Sequence, residues 1–338
     1  MTIALITGIT GMVGSHLADY LLVHTDWHIV GMYRWADSLK HIAHLTGRIN
    51  KKDRIELTYG DLTDAGSLDR VIKQHQPDYV FHLAAQSFPQ TSFTAPINTL
   101  DTNVQGTLRL LESLRNHKPD AIIHVCASSE VFGRVPKEKL PINEECSFHP
   151  ASPYAISKVG TDLIGRYYAE AYGMMIMTTR MFTHTGPRRG DVFAESSFAK
   201  QIAMIEAGYT DAPVVKVGNL DSLRTFADVR DAVRAYHMLL TVNPIGGQYY
   251  NIGGTYTATI RDMLTTLLSF SPLKDRIRVE LDIDRLRPID ADLQVPDTRK
   301  FEAHTGWKPE IPFLVTMRDL LNYWREEVDQ QYGQFLIR

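Results

Sequence analysis

Cysteine is almost missing from this chain. Two residues in 338, Cys126 and Cys146, cannot build a disulfide framework, and no Cys-x-x-Cys pair offers a zinc site. Long apolar runs are missing as well. None approaches the ~18 residues that a membrane span needs, so no membrane partner is expected. The start, MTIALITGITGMVG, lacks a basic region and is broken by Thr and Gly. It reads as a strand and a turn rather than a signal peptide; the scarcity of cysteine makes a reducing cytoplasm the expected compartment. Charge of one sign is not in excess either. The formal net charge is −3, so nothing points to nucleic acid. Internal repeats and low-complexity segments are absent.

What is present is an alternation. Short β-branched runs at Ile3–Thr7, His28–Tyr33, Ile55–Tyr59, Tyr79–Ala84, Ala121–Ala127 and Met175–Thr179 read as strands. Helical patterns near 15–24, 64–75, 99–117 and 153–172 lie between them. Near-continuous apolar strands alternating with helices predict an α/β fold with a parallel sheet covered on both faces. Such sheets bind ligands beyond the carboxyl ends of their strands. The proline-rich stretch 134–152 predicts a surface loop at that edge. After about residue 181 the rhythm loosens. Helices are expected near 194–208, 227–241, 259–270 and 314–327, with extended pieces at Val214–Val217 and Gln248–Ile252. We divide the chain into a first domain, 1–180, and a smaller C-terminal substrate-binding lobe, 181–338, with 286–312 crossing back.

Thr7-Gly8-Ile9-Thr10-Gly11-Met12-Val13-Gly14 joins the first strand to the first helix. Glycines at 8, 11 and 14 allow a tight turn and close approach of main chain to a pyrophosphate, which the helix N-terminus then faces. A dinucleotide is therefore expected, held by Gly8, Thr10, Gly11, Met12, Val13 and Gly14. The second strand ends at Arg34, a cation for a 2′-phosphate, which favours NADP; Asp37 nearby keeps NAD possible. Asp61 and Leu62 follow the third strand. Leu83, Ala84, Ala85, Gln86 and Ser87 follow the fourth, small enough for a cofactor to lie against the main chain.

Tyr154 and Lys158 form the sequence's single Tyr-x-x-x-Lys. Four residues apart, they share one helical face. A phenol titrates near 10, and a nearby ammonium lowers that value, so the pair predicts a phenolate base. Ser128, Ser129 and Glu130 end the fifth strand and place hydroxyl and carboxylate near the same edge.

Taken together, TGxxGxxG, GDLTD, HLAAQS, SSE and YxxxK resemble the extended short-chain dehydrogenase/reductase superfamily over nearly the whole chain. LAAQS, GTLRLLES, GPRRG, GNLDSLR and the closing LRPID…GWKPEIPF resemble GDP-mannose 4,6-dehydratases. SFAKQIAMIEAG and RTFADVRDAV are equally similar to GDP-4-keto-6-deoxymannose reductases. The resemblance implies a Rossmann-type doubly wound sheet, no metal, a GDP-sugar substrate, and a homodimer or homotetramer built through the helices near 99–117 and 153–172.

It also implies roles. Tyr154 takes the proton of the sugar 4-OH, Ser128 holds that hydroxyl, Glu130 removes the C5 proton and helps expel the 6-OH, and Lys158 supports Tyr154 and the nicotinamide ribose. Hydride passes from C4 to the cofactor and back to C6. His184 and Arg189 match cofactor contacts. Ser87, Ser128, Glu130, Tyr154, Thr183, Arg224 and Arg287 are assigned to substrate, the last two arginines to its diphosphate. Three positions depart from the family pattern. Ser128 replaces a threonine, Asn98 a tyrosine and Thr183 an asparagine; the last leaves room for a related donor such as a GDP-heptose. An NADPH-dependent reductase needs Ser128, Tyr154 and Lys158 but gives Glu130 no task. A silent dinucleotide sensor needs neither tyrosine nor lysine.

Overall fold

The computed structural model describes residues 1–286 and 291–332. Seven parallel strands form the main sheet: β1 (Ile3–Thr7), β2 (His28–Tyr33), β3 (Ile55–Tyr59), β4 (Tyr79–His82), β5 (Ile122–Cys126), β6 (Met175–Met181) and, from much later in the chain, Tyr249–Ile252. Three of the predicted strands, β1 to β3, have the predicted bounds. Others shift at their ends. The fourth stops at His82 rather than Ala84 because the amides of Leu83 and Ala84 both turn to the Thr7 hydroxyl, each at 3.0 Å.

Around this sheet run α1 (Met12–His24), α2 (Thr46–Lys51), α3 (Ala65–His75), α4 (Pro89–Thr94), α5 (Pro96–Leu100), α6 (Gly106–His117) and α7 (Pro153–Tyr172). A π turn, Asp101–Gln105, joins α5 to α6, so the predicted 99–117 helix is one helix with a wider turn inside it. The bounds of α7 are as predicted. Ser152 caps it by accepting from the Ala155 amide at 3.0 Å, Pro153 opens it, and Gly173 closes it at φ +65°.

The rest comprises β7 (His184–Thr185), α8 (Ala194–Glu206), β8 (Val214–Val217), β9 (Leu223–Asp228), α9 (Val229–Thr241), β10 (the Tyr249–Ile252 strand), β11 (Tyr256–Thr259), α10 (Ile260–Ser269), β12 (Arg278–Leu281), β13 (Leu293–Gln294), α11 (Arg299–Thr305) and α12 (Phe313–Tyr332). The main sheet runs β10-β6-β5-β4-β1-β2-β3. The chain winds outward to β3, then returns to β4 beside β1 and winds the other way. That reversal opens a crevice at the carboxyl ends of β1 and β4. A smaller sheet centres on β9, flanked by β11 and β13, and β8 pairs with β12.

The Gln248–Ile252 segment, read from sequence as a piece of the looser second half, is thus the seventh strand of the main sheet. Its neighbours are distant in sequence. The Asn251 amide donates to Glu144 at 2.8 Å and its side chain donates to the Ile142 carbonyl at 2.9 Å. Both donors of the buried asparagine are thus satisfied within the core, while its side-chain oxygen has no partner among the described residues. Two apolar clusters cover the main sheet. One joins α1 to α9, and the other lies under α3 and α6. A third fills the space between α8, α10 and α12. Among the described residues, no helix is long and apolar enough to cross a membrane, and no His/Cys/Asp/Glu cluster could hold a metal ion.

Candidate active site

The crevice continues into a cleft of about 1280 Å³ between the main sheet and the elements after β6. This exceeds the ~300–1,000 Å³ of a single small-molecule pocket, which leaves room for two ligands. Every candidate residue from the sequence lines it apart from Arg287, which lies outside the described residues.

At one end the wall is main chain. Gly8 sits at φ +74°, backed against Ala84, and a Cβ on Gly14 would come within 2.3 Å of the Gly8 carbonyl oxygen. Only glycine fits there. Gly11 caps α1 without any side-chain hydrogen bond, so the first amides of the helix keep their donors for a ligand. A cradle of free amides at a positive helix end fits the pyrophosphate of a dinucleotide. Thr10, Met12 and Val13 line the same turn, with Asp61, Leu62 and the Leu83–Ser87 segment around it. Gly106 lets the helix approach closely, since a Cβ there would sit 2.7 Å from that of Leu62.

The rim of this end is charged but balanced. Arg34 grips Asp37 through Nε at 3.1 Å and a terminal nitrogen at 2.8 Å, and Asp37 also accepts from the Arg34 amide at 3.0 Å. Sequence reading offered the two residues as alternatives. The structure pairs them. Lys40 and His41, unforeseen, also reach the cleft; Lys40 pairs with Glu327 on α12.

At the other end the wall is side chain. Ser128 caps the single turn Ser129–Phe132, and its hydroxyl oxygen accepts from the Glu130 amide at 3.2 Å. The Ser-Ser-Glu run is therefore a capped turn that presents both a hydroxyl and a carboxylate. Tyr154 lies in the first turn of α7, and the Ser128 hydroxyl lines the cleft beside it. Lys158 is buried one turn on and donates to the Cys126 carbonyl at 2.7 Å.

One expectation needs correcting. Spacing predicted that Lys158 lowers the Tyr154 pKa. Burial instead raises the phenol above its ordinary value, and the Ser128 hydroxyl is the largest opposing influence. Burial also lowers Lys158 below the ordinary lysine value. Enclosing two groups in low dielectric penalises both charged forms, and sequence spacing carries no information on burial.

Further along, enclosure lowers His184 to about 4, keeping it neutral, while its Nδ1 contacts the Phe182 carbonyl at 3.1 Å. Arg189 pairs with Glu195 at 3.1 Å. Thr183 holds the start of the wall by accepting from the Ala227 amide at 2.9 Å. Arg224 is buried and donates to the Ala291 carbonyl. Sequence reasoning passed over Arg188, Phe193, Glu195, Ser197 and Arg285, all in the lining. The quoted GPRRG run contained the first. Nothing local marked the others, since Arg285 reaches Ser197 across 88 residues, at 3.0 Å.

The sequence model of the GDP-mannose 4,6 dehydratase family matches residues 5–320. GDP-mannose 4,6 dehydratase 1 of Arabidopsis thaliana is 34% identical over 320 residues, which cover 92% of this chain and 86% of that one. GDP-6-deoxy-D-mannose reductase of Pseudomonas aeruginosa is 30% identical over 327 residues, covering 96% and 98%. Among solved structures, RMD from Pseudomonas aeruginosa complexed with NADPH is similar at a TM-score of 0.80 and 28% identity, covering 97% and 100%.

Proposed function

The chain belongs to the GDP-mannose 4,6-dehydratase family, and from that premise we propose that it converts GDP-mannose, or a close GDP-sugar such as a GDP-heptose, to the 4-keto-6-deoxy sugar with loss of water. Gly8, Thr10, Gly11, Met12, Val13, Gly14, Arg34, Asp61, Leu62, Leu83–Ser87, Tyr154, Lys158, His184 and Arg189 would hold NADP, with NAD possible. Bound there, the nicotinamide supplies the hydride acceptor for the sugar carbon and returns the hydride.

The chain's own residues handle the protons. Tyr154 accepts the proton of the 4-OH, and Ser128 fixes that hydroxyl. The resulting ketone acidifies the neighbouring C5–H, which Glu130 removes as general base. Glu130, now protonated, gives the proton to the departing 6-OH, so one water leaves and the carboxylate is restored; as hydride returns to C6, C5 regains a proton, the one Tyr154 took from the 4-OH, which restores the phenolate. Lys158 anchors the nicotinamide ribose. Thr183, Arg224 and Arg287 are assigned to the nucleotide end.

One observation carries this reading. The capped turn that positions Ser128 also fixes the main chain of Glu130, and both residues line the cleft with Tyr154. A reductase leaves that carboxylate idle. The Pseudomonas aeruginosa relative favours the reductase as second reading. GDP-mannose incubated with the protein and no added reductant separates them. A 4-keto-6-deoxy product supports the dehydratase. Turnover only of the keto sugar with NADPH supports the reductase. Turnover of neither leaves a dinucleotide sensor.

For assembly, Ile156, Leu163 and Tyr167 lie exposed along one stripe of α7, at 50%, 46% and 57%. This supports a homodimer or homotetramer through that helix, to be checked by mass in solution. Two unbonded thiols are compatible with a cytoplasmic setting.

A further inference from the structure

A fully enclosed ion pair lies beside the cleft rather than in its lining. The side chain of Arg180, on β6, keeps 1% of its exposure and that of Asp162, on α7, none. The guanidinium is forked on the carboxylate, with Nε donating to Oδ2 at 2.8 Å and Nη2 to Oδ1 at 3.2 Å. Its remaining nitrogen, Nη1, donates to the Glu144 carbonyl at 2.7 Å. Apolar side chains of similar volume often fill such a space with equal or better stability, so the pair calls for another use.

What the pair joins suggests that use. Tyr154, Lys158 and Asp162 follow one another at four-residue intervals and form one buried stripe of α7. The carboxylate thus continues the helix face that presents the phenol and the amine. Glu144 belongs to the 134–152 loop, which leaves the Ser129–Phe132 turn and ends at Ser152, the cap of α7. The guanidinium carbon also lies 5.5 Å from the ring centre of Phe132, in the turn, and 4.7 Å from that of Phe148, in the loop. One side chain of β6 therefore meets the helix, the loop and the turn that between them carry Ser128, Glu130, Tyr154 and Lys158.

The turn depends on this hold unevenly along its length. The Ala127 amide donates to the Thr179 carbonyl at 2.8 Å, so β6 fixes the chain just before Ser128. Beyond that point the Val131 amide donates to the Ser128 carbonyl at 3.3 Å and the Gly133 amide to the Glu130 carbonyl at 3.1 Å, both within the turn. Its outward ties run to the loop. The His149 amide donates to the Val131 carbonyl at 3.0 Å, and the rings of Phe132 and Phe148 lie 6.1 Å apart. Gly133, at φ +53°, comes so close that a Cβ there would stand 1.7 Å from the His149 carbonyl oxygen. Glu130 therefore follows the loop more than Ser128 does, and Arg180 links that loop to the catalytic helix.

We propose that Arg180, forked on Asp162, is a positioning residue that sets the Glu130 carboxylate against the Tyr154–Lys158 face of α7, and so governs removal of the C5 proton. Neither member of the pair lines the cleft, so both act through the residues that do. The proposal rests on Glu130 as the C5 base of the reading above. Misplacing such a group by about 1 Å costs on the order of 10²-fold in rate.

The experiment compares the full chain with Arg180→Lys and with the double variant Arg180→Met/Asp162→Leu, which replaces the pair by apolar volume. Melting, hydrogen exchange of backbone amides by mass spectrometry, and turnover of GDP-mannose are followed in each. The double variant should melt within about 5 °C of the parent, as apolar replacement of a buried pair allows. Amides of residues 129–133 should exchange about tenfold faster while those of α7 hold, because the turn opens locally. Loss of water should slow about 10²-fold, with oxidation at C4, read as reduced dinucleotide, kept within about threefold. Arg180→Lys, which keeps the charge but not the fork, should fall between. A double variant with a protected turn and full dehydration would overturn the proposal and leave the pair a structural filler, as would an equal fall in oxidation and dehydration. If the double variant does not fold, Phe132→Leu, which removes only the ring facing the guanidinium, decides by the same readouts. A loosened turn in a protein whose parent fails to convert GDP-mannose would sink the dehydratase reading alone.

Discussion

The two ends of the cleft are made of different material. At the dinucleotide end the contact surface is main chain, held open by glycines and by a helix start with free amides. At the sugar end it is side chain, with Ser128 and Glu130 from the capped turn and Tyr154 and Lys158 from α7. A main-chain site is specified by a few residues in a row and has no charge to keep in balance. A side-chain site depends on what burial does to each acid and base, which only the assembled molecule determines.

Tyr154→Phe offers the largest break. It should lower turnover about 10³-fold, within the ~10²–10⁴ range for a general acid–base group. NADPH affinity, followed by fluorescence, should stay within about twofold. Were both to fall together, the two ends would not be separable. Glu130→Gln comes next and divides the sugar end itself. Loss of water should slow about 10²-fold while oxidation at C4 persists, seen as accumulating reduced dinucleotide. Unchanged dehydration would remove Glu130 from the chemistry, and loss of both steps would make it a structural part of the capped turn.

Gly14→Ala tests the opposite end. The added methyl would meet the Gly8 carbonyl oxygen at 2.3 Å, and main chain on both sides cannot yield as a side-chain tip would. Strain of about 2 kcal/mol follows from such overpacking. Dinucleotide affinity should drop about 30-fold, the equivalent of that energy, with turnover at saturating cofactor nearly kept. Equal affinity in the variant would mean that the cradle is not the binding surface.

The same contrast explains what could be read in advance. Strands β1 to β3 and helix α7 had the right bounds because apolar runs, a Ser-Pro start and a Gly stop act locally. The seventh strand was not assigned to the main sheet because its polar partners lie 107 and 109 residues away. The glycine turn was legible for the reason that makes it main-chain-built. The burial that raises the Tyr154 phenol could not be foreseen, because a four-residue spacing gives neighbourhood without burial. Glu195 drew no notice in the sequence, and only the turn between Arg189 and α8 brings it onto its arginine.

The smallest predicted effect concerns the rim, where main-chain cradle gives way to side chains. Arg34 is 62% exposed, and its fork is occupied by Asp37, so its attraction for a 2′-phosphate is partly cancelled. Asp37→Asn removes the cancelling charge and keeps one of the two accepting oxygens, either for the Arg34 guanidinium or for the Arg34 amide. Preference for NADPH over NADH should then rise, but only about fivefold, because exposed charge pairs contribute roughly 0–1 kcal/mol. The gain should shrink as salt is added, since a Debye length of ~8 Å at physiological ionic strength screens an exposed rim. Dissociation constants for both dinucleotides, measured at low and high salt in the two proteins, check both statements. A ratio that moves towards NADH would show that Asp37 repels the ribose hydroxyls rather than accepting from them. A shift that ignores salt would mean that Asp37 works by shaping the turn, placing this rim with the main-chain end of the cleft.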